Sequence, residues 1–345
     1  MLSSKTKGLF AEVSQLRVIV AQTSAPKPPF VIEKISEVPL EKGAEAIKEM
    51  TLGFGGKSAK FISCDTAVYP QSRFFVRHSV DSPAKLKEAG FVEDLVRNQL
   101  NIDLNANTAT ILNAADGMPL DPSRPTASQK ELVVCGATVQ DIRASQEKVL
   151  SFGIYPERME IGSLSVVGAL SDIARSSGFK RPILLVEADM AVTRLYIVTP
   201  ERVDLCKTVP VGFDSMLPVL ASELGVKDEQ SARSMLYSNT FDFTEVGPTL
   251  LGRMLKEIRS CTGFYEVQTG QSFGGIFIHL LPSGLEWVRA CLSKALGIEP
   301  MKIELAQWLQ SRGVTVAEGV PLDAHARQYL GLFGLMLDFE NQPKA

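Results

Sequence analysis

Acidic and hydroxyl side chains gather at two bends of this 345-residue chain, and those bends are where chemistry could reside. Glu187, Asp189 and Thr193 lie between the apolar runs ILLV and LYIV, and Glu12 and Ser14 lie in LFAEVSQLRVIV near the N-terminus. The carboxylates of Glu12, Glu187 and Asp189 could ligate a divalent cation, but no partner that would activate a water accompanies them. Other chemistries find less support. His78, His279 and His325 show neither HxH nor HExxH spacing, and no Ser/His/Asp or Cys/His arrangement can be argued. The five cysteines (Cys64, Cys135, Cys206, Cys261 and Cys291) form no CxxC pair, so they read as thiols in a reducing compartment rather than as zinc ligands or a disulfide framework. Thr51–Ser58, TLGFGGKS, carries the GKS of a phosphate-binding loop. Its first glycine position holds Thr51, however, and it follows a helix where such a loop follows a strand, so it reads as a helix-to-strand connection.

The elements that must position these residues alternate along the chain. Hydrophobic and turn patterns predict a hairpin over Leu9–Val20, a strand over Phe30–Val38 and a helix over Glu41–Met50. Strands follow over Ala59–Cys64 and Ser72–Val80, then one amphipathic helix over Pro83–Asn98, a strand within Asn101–Asn113 and an exposed loop over Asp116–Gln129. Leu132–Cys135 is a strand, and Thr138–Phe152 and Ser163–Ser177 are helices ending at Gly153 and Gly178. The organising stretch Ile183–Asp214 reads as three strands with two turns: Ile183–Val186 is an apolar run suited to burial on both faces, Leu195–Val198 returns, and Val203–Val209 follows a Thr-Pro-Glu turn. Helices over Ser215–Leu224, Asp228–Tyr237 and Pro248–Gln268 come next, followed by a strand at Gly275–Leu280, a helix at Leu285–Leu296 and a short strand at Ile303–Leu305. An apolar helix over Asp323–Phe339 closes the chain. Two comparable halves, each strand-rich and then helical, imply a two-lobed α/β protein.

Composition narrows the function. Hydrophobic residues at 45% and charged residues at 22% describe an ordinary globular protein. A net charge of −3 without a Lys/Arg-rich block argues against nucleic acid. No run approaches the roughly 18 apolar residues of a membrane span, and no signal peptide is visible, so a cytoplasmic location is expected. The apolar closing helix lacks a basic polar face, which favours packing on a sheet over membrane insertion.

VEADMAVTRLYIV resembles the V-D-I-G-A-x-x-T-x-L-x-V-V hairpin of PilM, the cytoplasmic actin-like protein of type IV pilus machines. The resemblance continues in Thr208–Asp214 (TVPVGFD), in Leu255–Tyr265 (LKEIRSCTGFY, similar to E-I-R-R-S-L-D-F-Y), in Leu132–Ala169 and in Ala326–Leu337 (ARQYLGLFGLML). The same outline fits the cell-division protein FtsA and the cytoplasmic part of type II secretion L proteins. The resemblance implies a two-lobed actin-like, ribonuclease-H-like fold. Residues 1–182 and 323–345 would form the first lobe, with an inserted α+β subdomain near 65–130, and residues 183–322 the second.

It also implies a nucleotide cleft over Glu12, Ser14, Glu187, Asp189, Thr193 and Gly212, and there the sequence departs from the pattern. The first phosphate loop, D-I-G-S-x-S-x-K in the family, is Glu12-Val13-Ser14-Gln15-Leu16-Arg17, without a glycine. Glu187 replaces the aspartate of the second loop and Asp189 its glycine. The A-E-x-x-K helix becomes Ala232–Leu236, and the glycine-rich adenosine loop becomes His279–Leu285. Phosphate is held where backbone N–H groups converge and glycine permits close approach. A carboxylate facing phosphate at about 4 Å costs roughly 4 kcal/mol at a surface-like dielectric. The expected protein is therefore a pseudo-ATPase scaffold without a cofactor, with ATP and Mg²⁺ binding as the alternative and an FtsA-like filament former as a weaker one. Its expected partner is the cytoplasmic tail of a PilN-like bitopic inner-membrane protein, alongside other pilus or secretion components, which would place it at the inner membrane peripherally. The basic–aromatic strip Arg73, Phe74, Phe75 and Arg77 on the inserted subdomain is expected to form one lip of the peptide groove.

Overall fold

A computed structural model describes residues 7–52, 61–120, 130–226, 228–238, 241–320, 322 and 324–337. The GKS of Thr51–Ser58 and much of the Asp116–Gln129 loop lie outside the described residues. The chain divides into two compact units, Met1–Ser176 with Ile303–Ala345, and Ser177–Lys302.

In the first unit, β1 (Gly8–Val13), β2 (Arg17–Thr23) and β3 (Phe30–Pro39) form an antiparallel meander. It is followed by α1 (Gly43–Met50) and by β4 (Ile62–Val68), which returns parallel to β1. The small inserted sheet comprises β5 (Phe74–Ser79), β6 (Asn107–Asn113) and β7 (Glu131–Thr138), all antiparallel in the order β5-β7-β6, with α2 (Phe91–Asp94) between the first two strands. Next come α3 (Val139–Ser151), whose N-terminal Thr138 hydroxyl accepts from the Asp141 amide, then β8 (Ile154–Ile161) and α4 (Gly162–Ser176). Strand β8 joins parallel to β4.

The second unit opens with another meander, β9 (Ile183–Ala188), β10 (Thr193–Val198) and β11 (Val203–Val209). Helices α5 (Leu217–Leu224), α6 (Glu229–Tyr237), α7 (Gly247–Leu250) and α8 (Gly252–Thr269) lead to β12 (Gly275–His279), parallel to β9, and to α9 (Trp287–Leu296). The chain then re-enters the first unit with α10 (Leu305–Ser311), β13 (Val314–Val316) and α11 (Leu330–Leu337). The two main sheets run β13-β3-β2-β1-β4-β8 and β11-β10-β9-β12, so each repeats a three-strand meander with a parallel strand beside its first member. All of β9 and β10 is buried, as their apolar runs require. One face of the first sheet packs Leu9, Ala11, Val18 and Val20 against Ala46, Ile47, Val149 and Phe152. In the second unit Leu184, Val186, Leu195 and Ile278 meet Met254, Leu255 and Ile258.

Four expectations change. The single helix over Pro83–Asn98 is broken into a short turn at Pro83–Lys87, α2 and a wide turn at Leu95–Gln99, because Gly90 takes φ 81°, outside any right-handed helix. The inserted sheet reaches Thr138 rather than ending near 130, and β4 belongs to the main sheet. Ile303–Leu305 is no strand; α10 begins at Leu305. The second unit ends at Lys302 rather than 322, because β13 pairs with β3 and Asp172 of α4 binds α10: Trp308 Nε1 donates to its carboxylate at 2.8 Å, and Arg312 donates at 2.9 and 2.6 Å.

Candidate functional site

The bend between β1 and β2 consumes its own donors. Ser14 N–H donates to the Arg17 carbonyl (3.0 Å), and the Ser14 hydroxyl accepts from the Leu16 and Arg17 amides at 3.4 and 3.2 Å. A convergent pair of backbone N–H groups is what a phosphate would need, and here a serine oxygen holds it. Glu12 is buried: it is 1% exposed on β1, and a Cβ added to Gly331 of α11 would lie 2.5 Å from its Oε2. The closing helix thus lies directly on this carboxylate.

The bend between β9 and β10 is filled in the same way, by a carboxylate. Asp189 Oδ1 accepts from the Ala191 and Val192 amides at 3.0 and 2.9 Å, and Oδ2 accepts from Arg194 Nη1 at 3.0 Å. The Arg194 side chain is only 4% exposed and that of Asp189 13%, so this is a largely desolvated ion pair. The Asp189 carboxylate thus engages both bend amides and the Arg194 guanidinium at once. Thr193 is also committed, its hydroxyl donating to the Val211 carbonyl at 2.6 Å. Gly212 is required where it stands, since a Cβ there would lie 2.4 Å from both the Asp189 and the Met190 carbonyl oxygens. The Phe213 and Asp214 amides close the contact by donating to those same carbonyls at 2.9 and 2.8 Å. Glu187 is wholly buried on β9, accepts from the Tyr196 hydroxyl at 3.3 Å and is in register with His279 of β12.

The turn that follows β12 packs on the end of α6. A Cβ on Gly284 would come within 2.5 Å of the Tyr237 carbonyl oxygen, which puts the 280–284 turn in backbone contact with the end of α6. Leu280, in the place of a glycine run, adopts φ 60°, a left-handed conformation that is strained for its side chain. Burial, reinforced by the Asp214 carboxylate, pushes the Tyr237 phenol up to about 12, and its hydroxyl rests 2.8 Å from the Met190 sulfur. Arg233, in the glutamate position of the lost A-E-x-x-K motif, pairs with Asp214 at 2.9 Å. Among the described residues no group of three or more His, Cys, Asp or Glu is arranged to hold a metal ion.

The strip formed by Arg73 and the start of β5 is divided in role. Arg73 is 3% exposed: its Nε donates to Ser163 Oγ of α4 at 3.0 Å, its Nη1 to the Pro70 carbonyl at 3.1 Å, and its guanidinium lies 5.3 Å from the Tyr69 ring centre. Phe75 is buried, while Phe74 and Arg77 are half-buried, Arg77 pairing with Glu131 at 2.7 Å. Arg73 thus fastens the inserted sheet to α4. Its burial was not foreseeable locally, because Ser163 lies 90 residues away. The partner that sequence reasoning missed at the second bend is Arg194. An aspartate opening a bend, capable of accepting from amides two and three residues on, was the available signal.

No family model matches the chain, and neither does any curated protein sequence. Among solved structures, a chain of the PilM–PilN type IV pilus biogenesis complex superposes with a TM-score of 0.68 at 15% identity, covering 99% of this chain and 100% of that one. The ethanolamine utilization protein EutJ from Carboxydothermus hydrogenoformans gives 0.43 at 9% identity over 96% and 89% of the two chains. The cytoplasmic domain of EpsL, an inner membrane component of the Vibrio cholerae type II secretion system, gives 0.35 at 12% identity over 64% and 78%. The architecture is mixed α/β, with two main sheets and a small inserted sheet, and it shares the fold of that chain of the PilM–PilN complex.

Proposed function

We propose that this chain is a PilM-like scaffold of a type IV pilus or related secretion machine, and that it holds the cytoplasmic tail of a PilN-like inner-membrane protein without hydrolysing ATP. The Asp189 carboxylate carries the reading. It occupies the amides of the second bend and is locked there by a buried arginine, so a phosphate would have to displace a resident anion. The packed 280–284 turn and the serine-filled first bend support the same reading, and full-length likeness to a chain of the PilM–PilN complex supports the machine. The tail would lie extended beside the inserted sheet, where Phe74 and Arg77 remain half-buried while Arg73 and Phe75 are buried. Attachment would be peripheral and through the partner; among the described residues no helix is long and apolar enough to cross a membrane.

Two measurements test the two halves separately. Thermal unfolding with millimolar ATP and Mg²⁺ should leave the melting temperature unchanged, whereas a nucleotide at 100 times its Kd adds about 2.7 kcal/mol. A clear upward shift would replace the pseudo-ATPase with an ATP-dependent switch. Titration calorimetry with the N-terminal tail of a PilN-like protein encoded beside this chain should give saturable binding. Absence of both heat and thermal shift would remove the partner assignment.

A further inference from the structure

Beyond Ile32, the outer edge of the first main sheet has no neighbouring strand among the described residues. Strand β3 is ten residues long, but β13 pairs with it only from Phe30 to Ile32. After the Ala317 amide donates to the Ile32 carbonyl at 2.9 Å, the chain turns away, with Val320 N–H donating to the Ala317 carbonyl at 3.2 Å. No other strand among the described residues takes over from Glu33 onward.

The ladder parity says which groups are exposed there. Leu40 N–H donates to the Leu16 carbonyl at 3.0 Å, and the register pairs Val38 with Val18, Ser36 with Val20 and Lys34 with Gln22. Those residues turn their backbone groups to β2, so Ile35 turns its N–H and carbonyl away, into the space β13 has vacated. That space is a groove of about 420 Å³, walled by Ala46, Glu49 and Met50 of α1 and ended by Glu318 and Val320. Charges along an edge often only guard it against aggregation. Here the charge on β3 is partly spent, since Glu33 pairs with Lys7 at 2.6 Å and accepts from Gln22 at 2.9 Å. Of the remaining charges on the rim, the exposed Lys34 is outnumbered by Glu49 and Glu318, which are exposed and have no ion-pair partner among the described residues. The rim is thus acidic by one charge, while Met50, Ala46 and Ile35 supply an apolar floor.

From this juxtaposition of open backbone, groove and acidic rim, we propose that β3 accepts an extended, basic segment of a partner protein, added as a strand alongside Ile35. Alternating side chains of such a segment reach the apolar floor and the Glu49 and Glu318 carboxylates in turn. A second copy of this chain fits less well, because it would bring the same acidic rim against itself.

The probe is a fluorescein-labelled octapeptide of alternating valine and lysine, with a valine–glutamate octapeptide as control, read by anisotropy on the full chain at low salt. The valine–lysine peptide should bind, and the control should bind at least about tenfold more weakly. Ile35→Pro deletes an outward N–H that the β2 ladder does not use, a change edge strands tolerate, and it should weaken binding about tenfold. Glu49→Lys with Glu318→Lys, surface changes that keep the fold, should do the same. Equal binding of the two peptides, no binding by the unmodified chain at millimolar concentration, or binding indifferent to both variants would overturn the proposal. Concentration-dependent dimerisation that Ile35→Pro abolishes would also overturn it, in favour of a second copy.

Discussion

Replacing Asp189 by alanine removes the resident anion of the second bend. Three contacts go together: two charge-assisted bonds from the Ala191 and Val192 amides, and the ion pair with Arg194. Charged hydrogen bonds contribute about 1.5–3 kcal/mol each, and breaking a buried pair costs about 3–5 kcal/mol because the surviving charge is left uncompensated. The contributions overlap, since all three end on one carboxylate, so about 3–5 kcal/mol is expected for the whole change. At roughly 2–4 °C per kcal/mol for a domain of this size, the melting temperature should fall by roughly 6–20 °C. Asp189→Asn keeps an acceptor for the two amides but loses the charge opposite Arg194, and should fall between the two. The decisive assay is rescue. In Asp189→Ala the bend is an empty anion site facing a buried guanidinium, so added inorganic phosphate or formate should restore part of the lost melting temperature, and should not move the unmodified chain. A variant as stable as the parent, or phosphate stabilising both proteins alike, would refute the claim that this carboxylate stands in for a bound anion.

Three further outcomes follow from the same geometry. Arg73→Ala should destabilise by about 2–4 kcal/mol in denaturant titration through lost packing and buried hydrogen bonds, whereas Arg77→Ala, a half-exposed pair with Glu131, should cost no more than about 1 kcal/mol. Cys135, buried and with its thiol pushed up to about 12 by desolvation, should resist alkylation near pH 8 in the folded protein, while half-buried Cys206 is modified first. Tyr237, raised from 10.0 to about 12 mainly by burial, keeps its proton more tightly when folded. Its contribution to stability is therefore complete below about pH 10 and lost as pH rises towards 12, and Tyr237→Phe should flatten the fall in melting temperature across that window.

Much of the fold is legible in the sequence, and for a local reason. The β9–β10–β11 meander is legible within a residue or two because an unbroken apolar run, a short polar bend and a return strand are all written within some thirty neighbouring positions. The site is less legible. The loss of glycine at Asp189 was visible, but its sense was not: a carboxylate at a phosphate loop reads as repulsion until its oxygens are seen on the Ala191 and Val192 amides and on Arg194. Arg73 failed in the opposite direction, since a basic residue on an alternating strand reads as surface until Ser163 is found beside it.

What residue order settles here is the alternation of strands and helices and the erosion of the nucleotide motifs, because both depend on residue type at short spacing. What only packing decides is use. Whether Asp189 repels or fills, whether Arg73 greets a partner or pins a sheet, and whether the edge of β3 is covered by β13 beyond Ile32 depend on which distant segments arrive beside them. Burial and pairing are properties of the assembled neighbourhood, and no window of sequence contains it.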